Sequence, residues 1–180
     1  MPNYIRYRHP GGCYFFTVNL LERYPNDLLI RHISLLRESV KHVKEKYPFH
    51  IEGWVVLPDH MHCIWTLLDG DDDFATRWRL IKSHFAKSLP KDERRSSIRK
   101  KRGERGIWQR RYWEHFIRDS NDYQRHLDYL HYNPLKHGYV KRVADWPYSS
   151  FHRWVEHGVY PQEWGIGHVD DLNVGERFDV

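Results

Sequence analysis

The chain has 180 residues, 16% of them aromatic, and a formal net charge of +5. That length fits one domain with a sizeable core, and eight Trp and twelve Tyr leave rings over for a binding surface. A mean hydropathy of −0.82, with no apolar run near the ~20 residues of a bilayer span, reads against a membrane protein.

The segment Met1–Arg8 lacks an apolar h-region and does not read as a signal peptide. Gly11-Gly12 marks a turn before a first strand over 13–20. Apolar spacing at Leu29, Ile33, Leu36, Val40 and Val43 predicts a helix over 29–46, closed by Pro48. Strands follow over 49–56 and 60–68, joined by the tight Leu57-Pro58-Asp59 connection. The acidic turn 69–73 suits the start of a helix carrying Phe74, Trp78, Ile81 and Phe85 and ending before Pro90. Residues 91–106 have almost no apolar content and read as a loop, disordered or ordered by DNA. A fourth strand is expected within 107–117, and an N-cap at 119–122 opens a helix over about 121–133. Pro134 biases Asn133 away from helical geometry, so the helix is expected to end there. The order β-α-β-β-α-β-α predicts an α+β fold: a ferredoxin-like antiparallel sheet with helices packed mainly on one face. One domain over 1–164 would carry an irregular, glycine-containing C-terminal tail over 165–180. Cys13 and Cys63 are too few for a disulfide scaffold and fit a reducing cytoplasm.

The positive charge is localised. Residues 77–111 hold 14 Lys/Arg against 3 Asp/Glu, a balance of +11, while the rest of the chain carries −6. Aromatics flank this run at Trp78, Phe85, Trp108, Tyr112 and Trp113. Cationic segments interleaved with rings are the footprint of a nucleic-acid partner, single strands above all.

The candidate chemistry begins at His60-Met61-His62. Side chains on a strand alternate, so both imidazoles project from one face while Met61 enters the opposite layer. Two parallel imidazoles are half of a divalent-metal site. With 14 His in the chain, about one His-x-His is expected by chance, so the pair needs partners. On a wheel of about 100° per residue, Leu127, Tyr123 and Leu130 form the core face of the last helix. Tyr129, Asn133 and His126 fall together on another side. One helix thus presents a phenol and an amide oxygen; packed beside the His-x-His strand, Asn133 completes a ligand set and Tyr129 lies next to the ion. Neutral His and Asn donors suit Mg²⁺ or Mn²⁺ with positions open for phosphate oxygens. Tyr132 is the rival nucleophile, and His126 and His137 are rival ligands.

Five ordered blocks now form one pattern: Gly11-Gly12-x-x-Phe15-Phe16-Thr17-Val18-Asn19-Leu20; Leu57-Pro58-Asp59-His60-Met61-His62; Trp108-Gln109-Arg110-Arg111-Tyr112-Trp113-Glu114-His115; Asp128-Tyr129 through His137-Gly138; and Asp145-Trp146-Pro147-Tyr148-Ser149-Ser150-Phe151-His152. Over nearly its whole length the chain resembles the REP-associated tyrosine transposases, bacterial relatives of the small single-strand transposases of the HUH class. The resemblance implies a ferredoxin-like core and a metal-dependent nuclease that cuts and rejoins single-stranded DNA through a 5′-phosphotyrosyl bond, leaving a free 3′-OH. It implies His60 and His62 as metal ligands, Tyr129 as nucleophile, and Asn133 where insertion-sequence relatives often have Gln. It further implies hairpins of repetitive extragenic palindromes as substrate, a monomer, and a cytoplasmic, nucleoid-associated site of action. Arg94, Arg95, Arg99, Lys100, Lys101 and Arg102 are candidates for stem phosphates, with Lys82, Arg110 and Arg111 in the same basic run. Tyr4, Arg6, Tyr7 and Arg8 are candidates for reading unpaired bases. The Trp146–Trp154 block either packs on the core or lines the DNA groove, and the tail either folds over the site or extends from it. Two other readings share much of this evidence: a non-catalytic basic protein that binds DNA hairpins, and a rolling-circle replication initiator.

Overall fold

A computed structural model describes residues 6–91 and 97–166. Tyr4, Arg94, Arg95 and most of the expected tail lie outside the described residues. Four antiparallel strands, β1 (Cys13–Asn19), β2 (Phe49–Val56), β3 (His60–Leu67) and β4 (Trp113–Phe116), form one sheet in the order β2-β3-β1-β4. β3 and β1 are therefore the inner strands, and β3 places His62 opposite Thr17 and His60 opposite Asn19.

Strand alternation divides the core into two layers. Tyr14, Phe16 and Val18 of β1 and Met61, Cys63 and Trp65 of β3 face the longer helices α2 (Ile33–Lys46) and α3 (Phe74–Ser88). Trp65 and Trp78 stack at 4.2 Å between centroids within that layer. Phe15, Val55 and Ile64 face the other way, onto α5 (Ser120–Lys136) and the short α6 (Phe151–Glu156). The antiparallel α+β class is the expected one. The placement of helices differs from the expectation: α2 and α3 share one face, and α5 covers the opposite face. The reason is the sheet itself, whose inner strands are apolar on both sides and bury both.

Local differences have local causes. The helix expected over 29–46 is two pieces, α1 (Leu28–Arg31) and α2, separated at His32, whose backbone leaves helical geometry. Asp73 caps α3 by accepting from the Thr76 amide at 3.0 Å. Within the expected loop a short α4 (Ser97–Lys101) forms. β4 is shorter than expected, and Trp108 makes only an isolated bridge to Leu20. α5 runs through Pro134 to Lys136 instead of ending at Asn133. Pro134 occupies the last turn, where His137 and Tyr139 amides reach back to the Asn133 and Pro134 carbonyls at 3.0 Å each and continue the ladder past it.

The Trp146–Trp154 block packs on the protein. The indole nitrogens of Trp146 and Trp154 donate to the Val56 and Glu52 carbonyls at 3.0 and 2.9 Å, and Val55 bridges Ser149. This segment covers the open edge of β2, which would otherwise expose unpaired backbone. Gly53 lies at a register shift in β2, and a Cβ there would sit 2.9 Å from Leu127 Cδ1. A side chain at that point would hold α5 off the sheet.

Candidate active site

His60 and His62 leave β3 on the face that meets α5, and Met61 is buried in the other layer. The two imidazole centroids are 5.1 Å apart. The Tyr129 ring stands edge-on to His62 at 5.5 Å and to Phe15 at 6.1 Å. Two strands and one helix thus converge on this point, and all three side chains are buried. Tyr132 lies elsewhere, against Trp164 at 6.3 Å between centroids.

Each histidine is oriented by a neighbour. His60 Nδ1 is 2.6 Å from Asp59 Oδ1, and Asp59 Oδ2 accepts from Arg23 Nε at 2.7 Å. Burial pushes the His60 imidazole down to about 4, so it is neutral at pH 7. Burial alone would raise the Asp59 carboxyl, but the hydrogen bonds from His60 and Arg23 outweigh it and hold the group at about 2. A neutral imidazole beside a carboxylate keeps its proton on Nδ1 and its lone pair on Nε2. His62 Nδ1 meets Thr17 Oγ1 at 2.9 Å, which orients the ring. Carboxylates and hydroxyls behind histidines are the usual outer partners of metal ligands.

Asn133 follows Tyr129 by one turn of α5 and is completely buried. Neither its amide oxygen nor its amide nitrogen has a hydrogen-bond partner among the described residues. A buried amide without partners costs on the order of 1–3 kcal/mol, so the fold holds it against a penalty. An amide orphaned at both atoms, one turn along α5 from the tyrosine that meets His62, offers the kind of oxygen donor a divalent cation takes. The helix wheel puts Tyr129, Asn133 and His126 on one side of the helix. It places them away from the core stripe, whereas α5 is buried on both of those sides.

Several site residues escaped the sequence. Asp59 and Thr17 lie inside the quoted blocks without a role, and pairing register is the signal that would have assigned Thr17 to His62. Lys136 Nζ sits 4.6 Å from the Tyr129 ring centroid, two turns on from it along α5. His137 approaches His60 at 5.4 Å between centroids. His126 is drawn into a different group: His115 Nε2 and Asp122 Oδ2 are 2.9 Å apart, and His126 Nδ1 is 3.1 Å from Asp122 Oδ1. Ligand atoms of these three all lie within 4.8 Å of one another, close enough for an ion. The two rings stack at 4.4 Å and 15°, however, so their in-plane lone pairs run side by side and do not converge. The group ties β4 to the first turns of α5.

The basic candidates separate into bound and open side chains. Arg6 lies over the Tyr112 ring at 4.2 Å and 3.7 Å from the Glu114 carboxylate. Tyr7 is exposed and packs on Phe116 at 5.0 Å, and Arg8 reaches Asp72 at 3.5 Å. Lys82 Nζ donates to the Gln109 carbonyl at 2.6 Å, and burial pushes its ammonium down to about 8. Its described contacts anchor the strand leading to β4. Arg110 pairs with Glu104 at 2.5 Å, and Arg111 is exposed. Arg99 packs its side chain over Gly106, while Lys100, Lys101 and Arg102 stand out in solvent. Arg77, at the start of the basic run, is buried and bonded to Asp71 and to the Asp73, Tyr47 and Pro48 carbonyls.

A histidine pair on an inner strand, facing a tyrosine on the helix that crosses it, is the layout of a tyrosine transposase, an enzyme class that acts on DNA. No family model matches the chain. It is 49% identical over 177 residues to the REP-associated tyrosine transposase of Escherichia coli K12, covering 98% of each chain. It is 48% identical over 166 residues to a Haemophilus influenzae relative with the same family description, covering 92% of this chain and 94% of that one. A solved REP-associated tyrosine transposase bound to a REP hairpin superposes with a TM-score of 0.82, at 49% identity and 98% coverage of both chains. The chain belongs to the REP-associated tyrosine transposases. No helix among the described residues is long and apolar enough to cross a membrane.

Proposed function

We propose that this chain is a metal-dependent single-stranded DNA endonuclease and strand transferase that cleaves and rejoins hairpins of repetitive extragenic palindromes, with Tyr129 as nucleophile. The observation that carries the proposal is the convergence of Tyr129, His62 and His60, at 5.5 and 5.1 Å between successive rings, with the orphaned Asn133 amide one turn along the same helix. The hairpin bound to the solved relative supports the choice of substrate.

His60, His62 and Asn133 would hold Mg²⁺ or Mn²⁺. The cation supplies charge to polarise the scissile phosphate, which three neutral ligands leave undiminished. The chain's own residues do the rest. Asp59 sets the tautomer of His60, and Thr17 orients the His62 ring. Tyr129 loses its phenolic proton, and its oxygen forms a bond to phosphorus as the bond to the 3′ oxygen breaks. That oxygen takes a proton and leaves as a free 3′-OH, with the 5′ phosphate on Tyr129. Attack by a 3′-OH reverses each step and reseals DNA without a nucleotide cofactor. Lys136 holds its ammonium over the Tyr129 ring. Lys100, Lys101, Arg102 and Arg111 contact stem phosphates, and Arg6, Tyr7 and Arg8 lie along the strand that leaves the stem. The domain over 1–164 acts as a monomer in the bacterial cytoplasm, with the tail from 165 as an appendage.

The test is a denaturing gel of labelled single-stranded hairpin incubated with protein and Mn²⁺. A covalent adduct that is absent without metal and absent in Tyr129→Phe supports the proposal. Cleavage that survives Tyr129→Phe and is lost in Tyr132→Phe moves the nucleophile. Binding without any adduct favours a non-catalytic hairpin-binding protein.

A further inference from the structure

We infer that the groove beside His60, between the 23–27 loop and Tyr139, binds unpaired nucleotides of the DNA strand and stacks their bases on Tyr24 and Tyr139. The inference rests on the proposed active site for its position and on the groove for its chemistry.

The groove has a volume of about 670 Å³ and is lined by Arg23, Tyr24, Pro25, Pro58, Asp59 and Tyr139, among others. That is the size of a site for a small ligand, large enough for a nucleoside and its phosphate. Its lining is mostly apolar, and its two rings are open to solvent: Tyr24 is 95% exposed and Tyr139 is 44% exposed. Neither ring is needed to fill the core. An isolated exposed aromatic is ordinary, but two on one concavity, next to a nuclease site, form a stacking platform.

Continuity with the site is direct. Asp59 lines the groove and also binds His60 at 2.6 Å. Arg23 lines it and reaches His60 Nδ1 at 3.3 Å. Tyr139 follows His137, which packs against His60, and stacks on Trp146 at 5.4 Å and 30°. The Trp146 indole is itself bonded to the Val56 carbonyl, so the platform is fixed to the end of β2. A strand whose phosphate lies at His60 and His62 therefore has a groove of the right size and surface immediately beside it. The net charge of the lining argues for base faces over phosphates: Arg23 is already paired with Asp59, and Asp27 with Arg31.

The test uses the full chain carrying Tyr129→Phe, so that binding is read without cleavage, and hairpins with 2-aminopurine at each unpaired position in turn. Binding is expected to quench fluorescence at one or two adjacent positions. Tyr24→Ala and Tyr139→Ala should each abolish that quench and weaken binding about tenfold, the usual scale for losing one base–ring stack. An abasic nucleotide at the quenched position should weaken wild-type binding similarly and add little to the variants. Tyr24→Phe and Tyr139→Phe keep the rings and should bind as the parent does. Quenching that persists in both alanine variants, or unchanged affinity, overturns the inference. Loss in the Phe variants as large as in the Ala variants overturns the stacking. Tyr24 is exposed, so its variants are expected to fold normally, which keeps one arm readable if Tyr139→Ala unfolds. Failure of the active-site proposal would show instead as absence of the Tyr129 adduct in the wild-type chain, with the quench intact.

Discussion

Removing the Asp59 carboxylate should cripple the proposed metal-dependent cleavage without touching a proposed ligand. Asp59 Oδ1 accepts the His60 Nδ1 proton at 2.6 Å, and the Arg23 guanidinium lies 3.3 Å from the same nitrogen. In Asp59→Ala the acceptor is gone and the guanidinium, which only donates, becomes the nearest polar neighbour. His60 answers by moving its proton to Nε2 and accepting from Arg23 through Nδ1. That tautomer has no lone pair facing a cation. Losing such an outer partner typically costs 10–100-fold in metal affinity or activity, about 1.4–2.7 kcal/mol. The assay is the initial rate of adduct formation across a Mn²⁺ titration, with thermal unfolding as a check on the fold. The rate should fall by that factor at low Mn²⁺ and recover at high Mn²⁺. Asp59→Asn, which keeps an acceptor oxygen, should lose less. The double variant Arg23→Ala/Asp59→Ala should exceed Asp59→Ala alone, because the competing donor is removed. A wild-type rate for Asp59→Ala over the whole titration would refute the tautomer argument.

Other outcomes follow from single side chains. Burial pushes His131 down to about 3 from its ordinary 6.5, so the folded state stays neutral where the unfolded chain takes up a proton. Its contribution is complete above pH 6.5 and drains away as pH falls toward 3. Between pH 6.5 and 5.5 that amounts to about 1 kcal/mol, read as a shift in urea midpoint that is missing in His131→Gln. Arg77→Ala should lose about 1–3 kcal/mol of stability, because it removes the hydrogen bonds to three carbonyls and to the half-exposed Asp71 carboxylate. In the same variant the salt dependence of hairpin binding should stay as it was. The reverse holds for a Lys100→Ala/Lys101→Ala/Arg102→Ala variant: stability within about 0.5 kcal/mol of the parent, and a slope of log affinity against log salt shallower by about two to three.

The strands of this protein were legible because each is a short run of β-branched and aromatic residues between turn residues. β2 starts and ends where the pattern places it, and β3 differs by one residue. The alternation that aims His60 and His62 together, and Met61 away, follows from the pleat alone. What stayed hidden was pairing. Thr17 meets His62 only because β1 lies antiparallel to β3 in one register, and no local pattern states a register. The side of the sheet taken by α5 was hidden for a related reason. β1 and β3 are apolar on both faces, so periodicity offers no choice between one-sided and two-sided covering. Charge misled in a third way. Composition counts Arg77 and Lys82 with the basic run, whereas the fold uses Arg77 to seal the loop before α3 and Lys82 to anchor the approach to β4.

The polar stripe of α5 carries the final step. Asp122, His126, Tyr129 and Asn133 follow one another at helical spacing, and all are buried. A helix gains nothing in stability from burying such a row unless each member finds a partner. At the first turn the partners are present: Asp122 accepts from His115 Nε2 at 2.9 Å and from the Arg118 backbone amide at 3.0 Å. The hydrogen bonds to Asp122 outweigh its burial and hold the carboxyl down to about 2, so this end of the helix is fixed to β4. Beside this row Leu127 and Leu130 pack over Gly53, which has no side chain to hold them off. His126 and His131 each leave one ring nitrogen without a partner but bond through the other, to the Asp122 carbonyl at 2.8 Å and Ser150 Oγ at 2.9 Å; at Asn133, among the described residues, both atoms of the buried amide are unanswered. An amide left that way, a turn from a tyrosine and on the helix facing two imidazoles, supports the proposed role of Asn133 as a ligand.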